Sequence, residues 1–308
     1  MKKFIKSVLL ILCVSLVVDV ILDCCVTRFL NNSQAYPYHV WNEIIHDTID
    51  ADLLIIGSSR ARNHYDSRIM DSMLLLNTYN LGSNGTHIER QIDRCKVYRK
   101  YQKKKPLYII FNIDYTGFKK HRIFERNQYF PYLTNLYMRQ WLKKKEPFSM
   151  AELYIPMYRY YIQGMPSVIK GAKGTIRGCY KGFYNNDEVW CGPKRTKIKR
   201  FKFTPHQEAV EEFDVFLSEL QQDSVKMIFV SSPIYIGKTE KIDNLHEFYD
   251  FLKYFSEKYD IPVLDYIQSP MSYDTILFRN LTHLNKTGAE LFTTKLCHDL
   301  DSLGLLNL

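Results

Sequence analysis

Ala51-Asp52-Leu53-Leu54-Ile55-Ile56-Gly57-Ser58-Ser59-Arg60 is the stretch whose reading decides the fold. Four apolar residues in a row, Leu53 to Ile56, predict a strand buried on both faces, as in a parallel sheet. The run stops at a glycine and two serines. Ile69, Met70, Met73 and Leu74 then recur at helical spacing. A strand, a tight turn of small residues and a helix put a serine at the carboxyl end of a sheet, where open α/β folds carry their sites. Gly57 lets the turn close. Ser59 sits at the helix start, beside backbone N–H groups able to stabilise an oxyanion, and is the stronger nucleophile candidate. The alternative is that Ser58 and Ser59 only cap the helix. On this stretch alone the two readings stand level.

Moving outward, strands and helices continue to alternate. Tyr79-Asn80-Leu81-Gly82-Ser83-Asn84-Gly85 reads as the end of a short second strand closing in a glycine-rich loop. A helix is expected from about His87 to Tyr101. The basic cluster Arg99, Lys100, Lys103, Lys104 and Lys105 at its end complements the helix dipole and needs no ligand. Leu107 to Phe111 is a third strand, ending in Asn112-Ile113-Asp114. After a long interruption come a helix over Pro205–Gln222, a fourth strand over Val225–Val230, a helix over Leu245–Tyr259 and a fifth strand over Pro262–Tyr266. Thr282-His283-Leu284-Asn285 then leads into a final helix, Lys286 to Leu300. Alternating strands and helices predict an α/β, doubly wound parallel sheet.

The interruption, about 118–205, reads as an insertion capping the active edge of the sheet. It has helical patches such as Asn135 to Lys145 and no clean strand alternation. Its Tyr154, Tyr158, Tyr160, Tyr161, Phe183, Tyr184 and Trp190 are interleaved with Lys and Arg. They suit a sugar- or lipid-linked substrate, but the core of a cap is the weightier explanation.

At the amino terminus, Lys2, Lys3 and Lys6 precede an apolar run from Val8 to Val18; Asp19 interrupts it and Val20-Ile21-Leu22 resumes. No Ala-x-Ala-like cleavage site follows, and Asp23 before Cys24 spoils a lipoprotein-type one. Lys6 to Val26 is long enough to span a bilayer. Asp19 would cost about 2.5–3.5 kcal/mol at the membrane centre and less toward one face. An uncleaved transmembrane helix over 1–26 is therefore expected ahead of a cleaved signal. Residues 27–50 are a connector, and 51–308 the α/β domain. The lysines hold the N-terminus in the cytoplasm and place the domain on the extracytoplasmic side.

The chain has 308 residues, 46% hydrophobic and 24% charged, with a net charge of +9. These are the proportions of a folded protein with anionic surroundings. There is no zinc-finger spacing, no RNP-like motif and no basic helix with heptads, so nucleic acid is the weakest partner. A solvated basic surface is the simplest explanation of the charge. Cys95 and Cys297 fall in helix-like segments as buried apolar residues. Cys179 and Cys191 are close enough to form a small disulfide loop in an oxidising compartment, or they are two thiols. No Cys/His cluster has metal-ligand spacing.

These blocks together resemble the SGNH, or GDSL-like, hydrolase superfamily, whose sheet is a flavodoxin-like three-layer arrangement. Gly57-Ser58-Ser59 resembles its Gly-x-Ser block, and Asn80-Leu81-Gly82-Ser83-Asn84-Gly85 its Asn-x-Gly-x-x-Gly block. Thr282-His283-Leu284-Asn285, with Gly288-Ala289 after it, resembles the histidine block. The resemblance covers 51–115 and 225–300. It implies Ser59 as nucleophile, His283 as base, Gly82 N–H as an oxyanion donor and no metal or organic cofactor. The Gly-Ser-Ser form, the anchor and the insertion look most like exported branches that move acyl groups on envelope polymers, such as those of alginate O-acetylation and teichoic-acid D-alanylation. The implied partner is an acylated envelope glycan or similar ester, and a membrane-bound acyl-donor protein is allowed. Two departures stand out. In place of the Gly-x-Asn-Asp block, Asn112 and Asp114 compete for the oxyanion asparagine. Where the family has Asp three residues before the histidine, this chain has Asn280. Either Ser59 and His283 act with a neutral helper, or Asp274 or Asp265 substitutes, or catalysis is lost and the protein only binds.

Overall fold

The computed structural model describes residues 1–120, 126–145, 148–172, 179–192 and 198–306. The chain opens with α1 (Lys2–Leu30) and α2 (Tyr38–Ile45). Then β1 (Leu53–Ile56) leads into α3 (Ser59–His64), α4 (Ser67–Leu74), β2 (Thr78–Asn80), α5 (Ile88–Tyr101) and β3 (Tyr108–Asn112). A 3₁₀ helix (Arg126–Tyr132), α6 (Leu136–Lys145), α7 (Met150–Tyr154), a π-helical turn (Tyr160–Gly164) and α8 (Met165–Ala172) follow. Next are β4 (Cys179–Tyr180), β5 (Phe183–Tyr184), α9 (Gln207–Gln222), β6 (Lys226–Ser231) and α10 (Ile236–Thr239). The chain ends with α11 (Leu245–Tyr259), β7 (Val263–Asp265) and α12 (Lys286–Ser302). Two compact units result, one from residues 1–43 and 122–177, the other from 44–121 and 178–308.

The larger unit is built on a five-stranded parallel sheet in the order β2-β1-β3-β6-β7. Leu53 lies between Thr78 and Tyr108, Ile109 faces Met227 and Phe229 faces Val263. Every residue of β1 and β3 is buried, as parallel strands covered on both faces require. Alternate residues serve opposite faces. Leu53, Ile55, Tyr108, Ile110, Ile228 and Val230 share a core with Tyr65, Met70 and Phe292, and α12 packs on α3 and α4. Phe111 and Phe229 turn the other way, each about 6 Å from the ring of Phe213 of α9. Helices α5 and α11 flank α9. The α/β, doubly wound parallel sheet expected from the alternation is present.

Three local details go beyond what the sequence reading offered. The helix after β1 is two helices: Tyr65 is extended and the Asp66 carboxylate accepts from Arg68 N–H at 3.0 Å, capping a new start. The 27–50 connector holds α2. The 118–205 segment holds a β4–β5 hairpin, whose two-residue strands are too short to show alternation. Residues 122–177 of that segment join the N-terminal unit, and 178–205 join the sheet unit.

In the smaller unit, α1 is a helix long and apolar enough to cross a membrane or serve as a signal anchor. Its C-terminal part packs on the 3₁₀ helix and α8. Trp41, Tyr129 and Trp141 cluster edge to face, and Trp41 Nε1 donates to Gln128 at 2.9 Å. Two polar groups of α1 are met within the unit: Arg159 pairs with Asp23, and Tyr160 OH meets Thr27 Oγ1 at 2.9 Å.

Candidate active site

The end of β1 turns into α3 without room for larger residues. A Cβ on Gly57 would lie 2.6 Å from that of Ala61 and 3.0 Å from that of Asn112. Ser58 is the N-cap and accepts from Arg60 N–H at 3.2 Å. Its hydroxyl donates to Asp114. Ser59, the first residue of α3, is left with its side chain aimed elsewhere, at His283: Ser59 Oγ to Nε2 is 2.7 Å.

His283 stands in a tight loop ahead of α12. Phe278 and Leu284 bridge antiparallel, and Arg279 N–H donates to His283 O at 3.0 Å. At the tip, Asn280 Oδ1 receives the N–H groups of Thr282 and His283, each at 3.0 Å. Two backbone donors identify that atom as the oxygen. The same oxygen is 3.0 Å from His283 Nδ1. It can only accept, so the neutral imidazole carries its proton on Nδ1 and offers the Nε2 lone pair to the Ser59 hydroxyl. Asp274 caps the 3₁₀ turn Thr275–Leu277 through Ile276 N–H. The Asp265 carboxylate accepts from Ile267 N–H at 3.0 Å. The nearest partner of His283 Nδ1 is thus Asn280, with the Thr282 hydroxyl at 3.2 Å beside it.

Beneath the pair lies a buried polar network that the sequence did not announce. Arg60, 5% exposed, forms an ion pair with Asp114 at 2.6 Å and reaches Ser232 Oγ at 3.0 Å. His64 is fully buried. Its Nε2 accepts from Leu284 N–H at 3.0 Å and its Nδ1 meets Ser232 Oγ at 3.0 Å. His64 therefore holds the residue next to His283. The available signal was the polar run Ser59-Arg60-Ala61-Arg62-Asn63-His64 directly after an apolar strand; five of these six residues are buried.

The three oxyanion candidates sit at neighbouring strand ends, each already engaged. Gly82 N–H donates to Asn80 Oδ1 at 2.9 Å, and Asn80 Nδ2 donates to Ala61 O at 2.8 Å. Gly82 also has no room for a side chain: a Cβ would lie 2.8 Å from Arg62 Cα. Asn112 accepts from Tyr65 OH at 2.7 Å and donates to Asp114 at 3.0 Å. Asp114 is the counter-charge of Arg60 and no donor. Asn80 and Asn112 act here as brackets between α3 and the sheet.

No family model matches the sequence, and no curated protein matches it. Among solved structures, the chain is similar to a crystal structure from Bacteroides fragilis described as "a putative acylhydrolase", with 10% identity and a TM-score of 0.42. The match covers 87% of this chain and 97% of that one. So distant a likeness leaves the chemistry to be argued from the residues of this chain.

Electrostatics set the protonation of the pair. Burial, then the charges of Arg279 and Arg60, push His283 down to about 3. Burial, then Arg60 and His283, also holds His64 well below its ordinary value. Both imidazoles are neutral at working pH, so His283 is in its base form. Beside it opens a cavity of about 770 Å³, lined by Trp190, Lys238, Arg279, Asn280, Thr282 and His283 among others. The Trp190 ring stands edge-on to Tyr235 at 5.0 Å, and its backbone N–H donates to Phe278 O at 2.8 Å. The volume suits a group of several sugar or acyl units. Cys179 and Cys191 are both thiols, and among the described residues no three His, Cys, Asp or Glu side chains gather as a metal site.

Proposed function

We propose that the protein is a serine-dependent esterase or O-acyltransferase of SGNH type, acting on acyl groups of a cell-envelope glycan. One observation carries this reading: Ser59 Oγ is 2.7 Å from His283 Nε2, while Nδ1 is 3.0 Å from Asn280 Oδ1. Hydroxyl, base and orienting group are in line, as nucleophilic catalysis requires. Ser59 Oγ attacks the acyl carbonyl carbon and its proton passes to His283 Nε2. The oxyanion is held by the Ser59 N–H, which has no intrahelical partner at the first position of α3, and by Gly82 N–H shared with Asn80. Collapse breaks the ester bond, and His283 Nε2–H protonates the leaving alkoxide. The acceptor hydroxyl then gives its proton to Nε2 and its oxygen attacks the Ser59 ester; as the acyl–Oγ bond breaks, Nε2–H returns that proton to Ser59 Oγ. Water as acceptor makes an esterase; a sugar hydroxyl makes a transferase. The cavity beside His283, with Trp190 at its wall, is room for the glycan. Helix α1 is the anchor, with its lysine-rich end cytoplasmic and the site in the periplasm or outside the cell.

Hydrolysis of p-nitrophenyl acetate by the full chain in detergent tests this reading. Ser59→Ala and His283→Ala should each lower kcat by roughly 10³-fold or more. Equal rates in wild type and both variants would contradict it. A second reading has its own support. His283 lacks a carboxylate, and Asn112 and Gly82 are engaged. A protein retaining the fold only to bind glycan would show those features and keep its biological role as Ser59→Ala.

A further inference from the structure

The smaller unit leaves a row of apolar side chains uncovered on the segment that packs beside α1. Tyr161 is 55% exposed, Ile162 57%, Met165 39% and Ile169 51%. Positions 161, 165 and 169 recur at four-residue spacing, and 162 and 169 at seven, so all four share one helical face. The segment runs alongside α1. At one end Tyr161 OH donates to Asp19 at 3.0 Å. Next along, Arg159 pairs with Asp23 and also reaches Thr27 Oγ1 at 3.2 Å. At the far end Ser33 Oγ donates to Gly171 O at 3.1 Å.

Depth follows from length. At about 1.5 Å per residue, Phe4 to Leu22 covers about 28 Å, close to the roughly 30 Å of a hydrocarbon core. The outer boundary of the core therefore falls near Asp19–Asp23. Those two carboxylates would be costly there if bare, and they are the ones that Tyr161 and Arg159 meet. A tyrosine whose ring is apolar and whose hydroxyl is engaged suits a membrane interface. We propose that Tyr160–Ala172 lies in the interfacial zone of the outer leaflet, as a collar around the emergence of α1. Tyr161 and Ile162 are deepest, and Ile169 is at headgroup level about 10 Å further out by helical rise. The occupant of this apolar face is the lipid bilayer itself, continuous with the uncovered apolar length of α1. The inference rests on the reading of α1 as a span.

Nitroxide accessibility tests it on the full chain in phosphatidylethanolamine–phosphatidylglycerol vesicles. Cys13, Cys24, Cys25, Cys179 and Cys191 are changed to Ala, and single labels are placed by Leu12→Cys, Ile162→Cys, Ile169→Cys and Val215→Cys. All four sites are exposed, so none disturbs a core. Expected is collision with oxygen over a water-soluble nickel chelate at 12 and 162, an intermediate ratio at 169 and a water-like ratio at 215. A lipid-like 12 with a 162 as water-exposed as 215 would overturn the collar and leave the anchor standing. A water-exposed 12 would contradict the anchor and the collar together.

Discussion

At the scale of residues, Asn280 separates two contributions that an aspartate makes at once. In a serine protease, changing the triad Asp to Asn lowers kcat by about 10⁴, largely through the wrong imidazole tautomer. Here the Asn280 oxygen is turned to Nδ1 by the Thr282 and His283 N–H groups, so the tautomer is already right. What is missing is the charge that would stabilise an imidazolium. Asn280→Asp should therefore raise the pKa of His283 by about 1–3 units and raise kcat, because Nε2 then becomes a stronger base. An unchanged or lower kcat, with the fold intact, would count against this division of roles. The pH profile follows from the same site. With His283 pushed down to about 3, the base form persists as pH falls, and the acid limb of kcat/KM should lie below pH 5. In Asn280→Asp it should move up. A wild-type limb near pH 6.5 would mean that His283 titrates as an ordinary histidine.

At the scale of elements, the β1–α3 turn depends on a buried ion pair. Arg60 and Asp114 are each about 95% buried and 2.6 Å apart. Removing one partner strands a charge, so Arg60→Met should lower stability by about 3–5 kcal/mol. Arg60→Met with Asp114→Asn should lose less than the sum of the single changes. Urea midpoints of the three variants measure this, and strict additivity would show that the pair is uncoupled. The same turn shows what could be read from sequence. The strand Leu53–Ile56 and the small residues after it were legible because burial on both faces forces an apolar run and close approach forces Gly57. β1, β3 and β6 fall within a residue of their expected places for that reason, and β2 and β7 were placed by the turns and helices around them. The break between α3 and α4 was not legible, since one capping carboxylate, Asp66, outweighs continuing helical periodicity. Nor were the roles of His64 and Arg60, which depend on Leu284 and Asp114, residues distant in sequence. The spacing of Asn80 and Gly82 was visible, but not that the Asn80 side chain takes up the Gly82 N–H.

At the scale of the whole molecule, two buried neutral histidines link stability to pH. Folding holds His64 and His283 below the ordinary value of about 6.5 that applies when the chain is unfolded. As pH falls below 6.5 the unfolded chain binds protons that the folded one refuses, so stability is present above that pH and lost below it. For His283 this loss is roughly 1.5–2 kcal/mol between pH 6.5 and 5, and His64 acts in the same direction. Asp265, raised chiefly by its burial, works in the opposite direction and strengthens the fold as pH drops toward 4. Thermal melts of the full chain should show a lower Tm at pH 5 than at pH 7.5, and His283→Ala should reduce that slope. A flat profile would show that the two imidazoles are not held neutral. The division of the chain into two units also means that a long insertion need not be only a substrate cap. Residues 122–177 group with α1 in the smaller unit rather than with the sheet.

The measurement that bears most directly on the central claim is the mass of the intact protein after incubation with p-nitrophenyl acetate and, separately, with a fluorophosphonate. A single adduct on Ser59, absent in Ser59→Ala and strongly slowed in His283→Ala, is the predicted result. It would establish a working nucleophile whose base is oriented by a neutral asparagine. Folded protein that takes up neither reagent at Ser59 would contradict the catalytic reading and favour a protein that binds its glycan without transforming it.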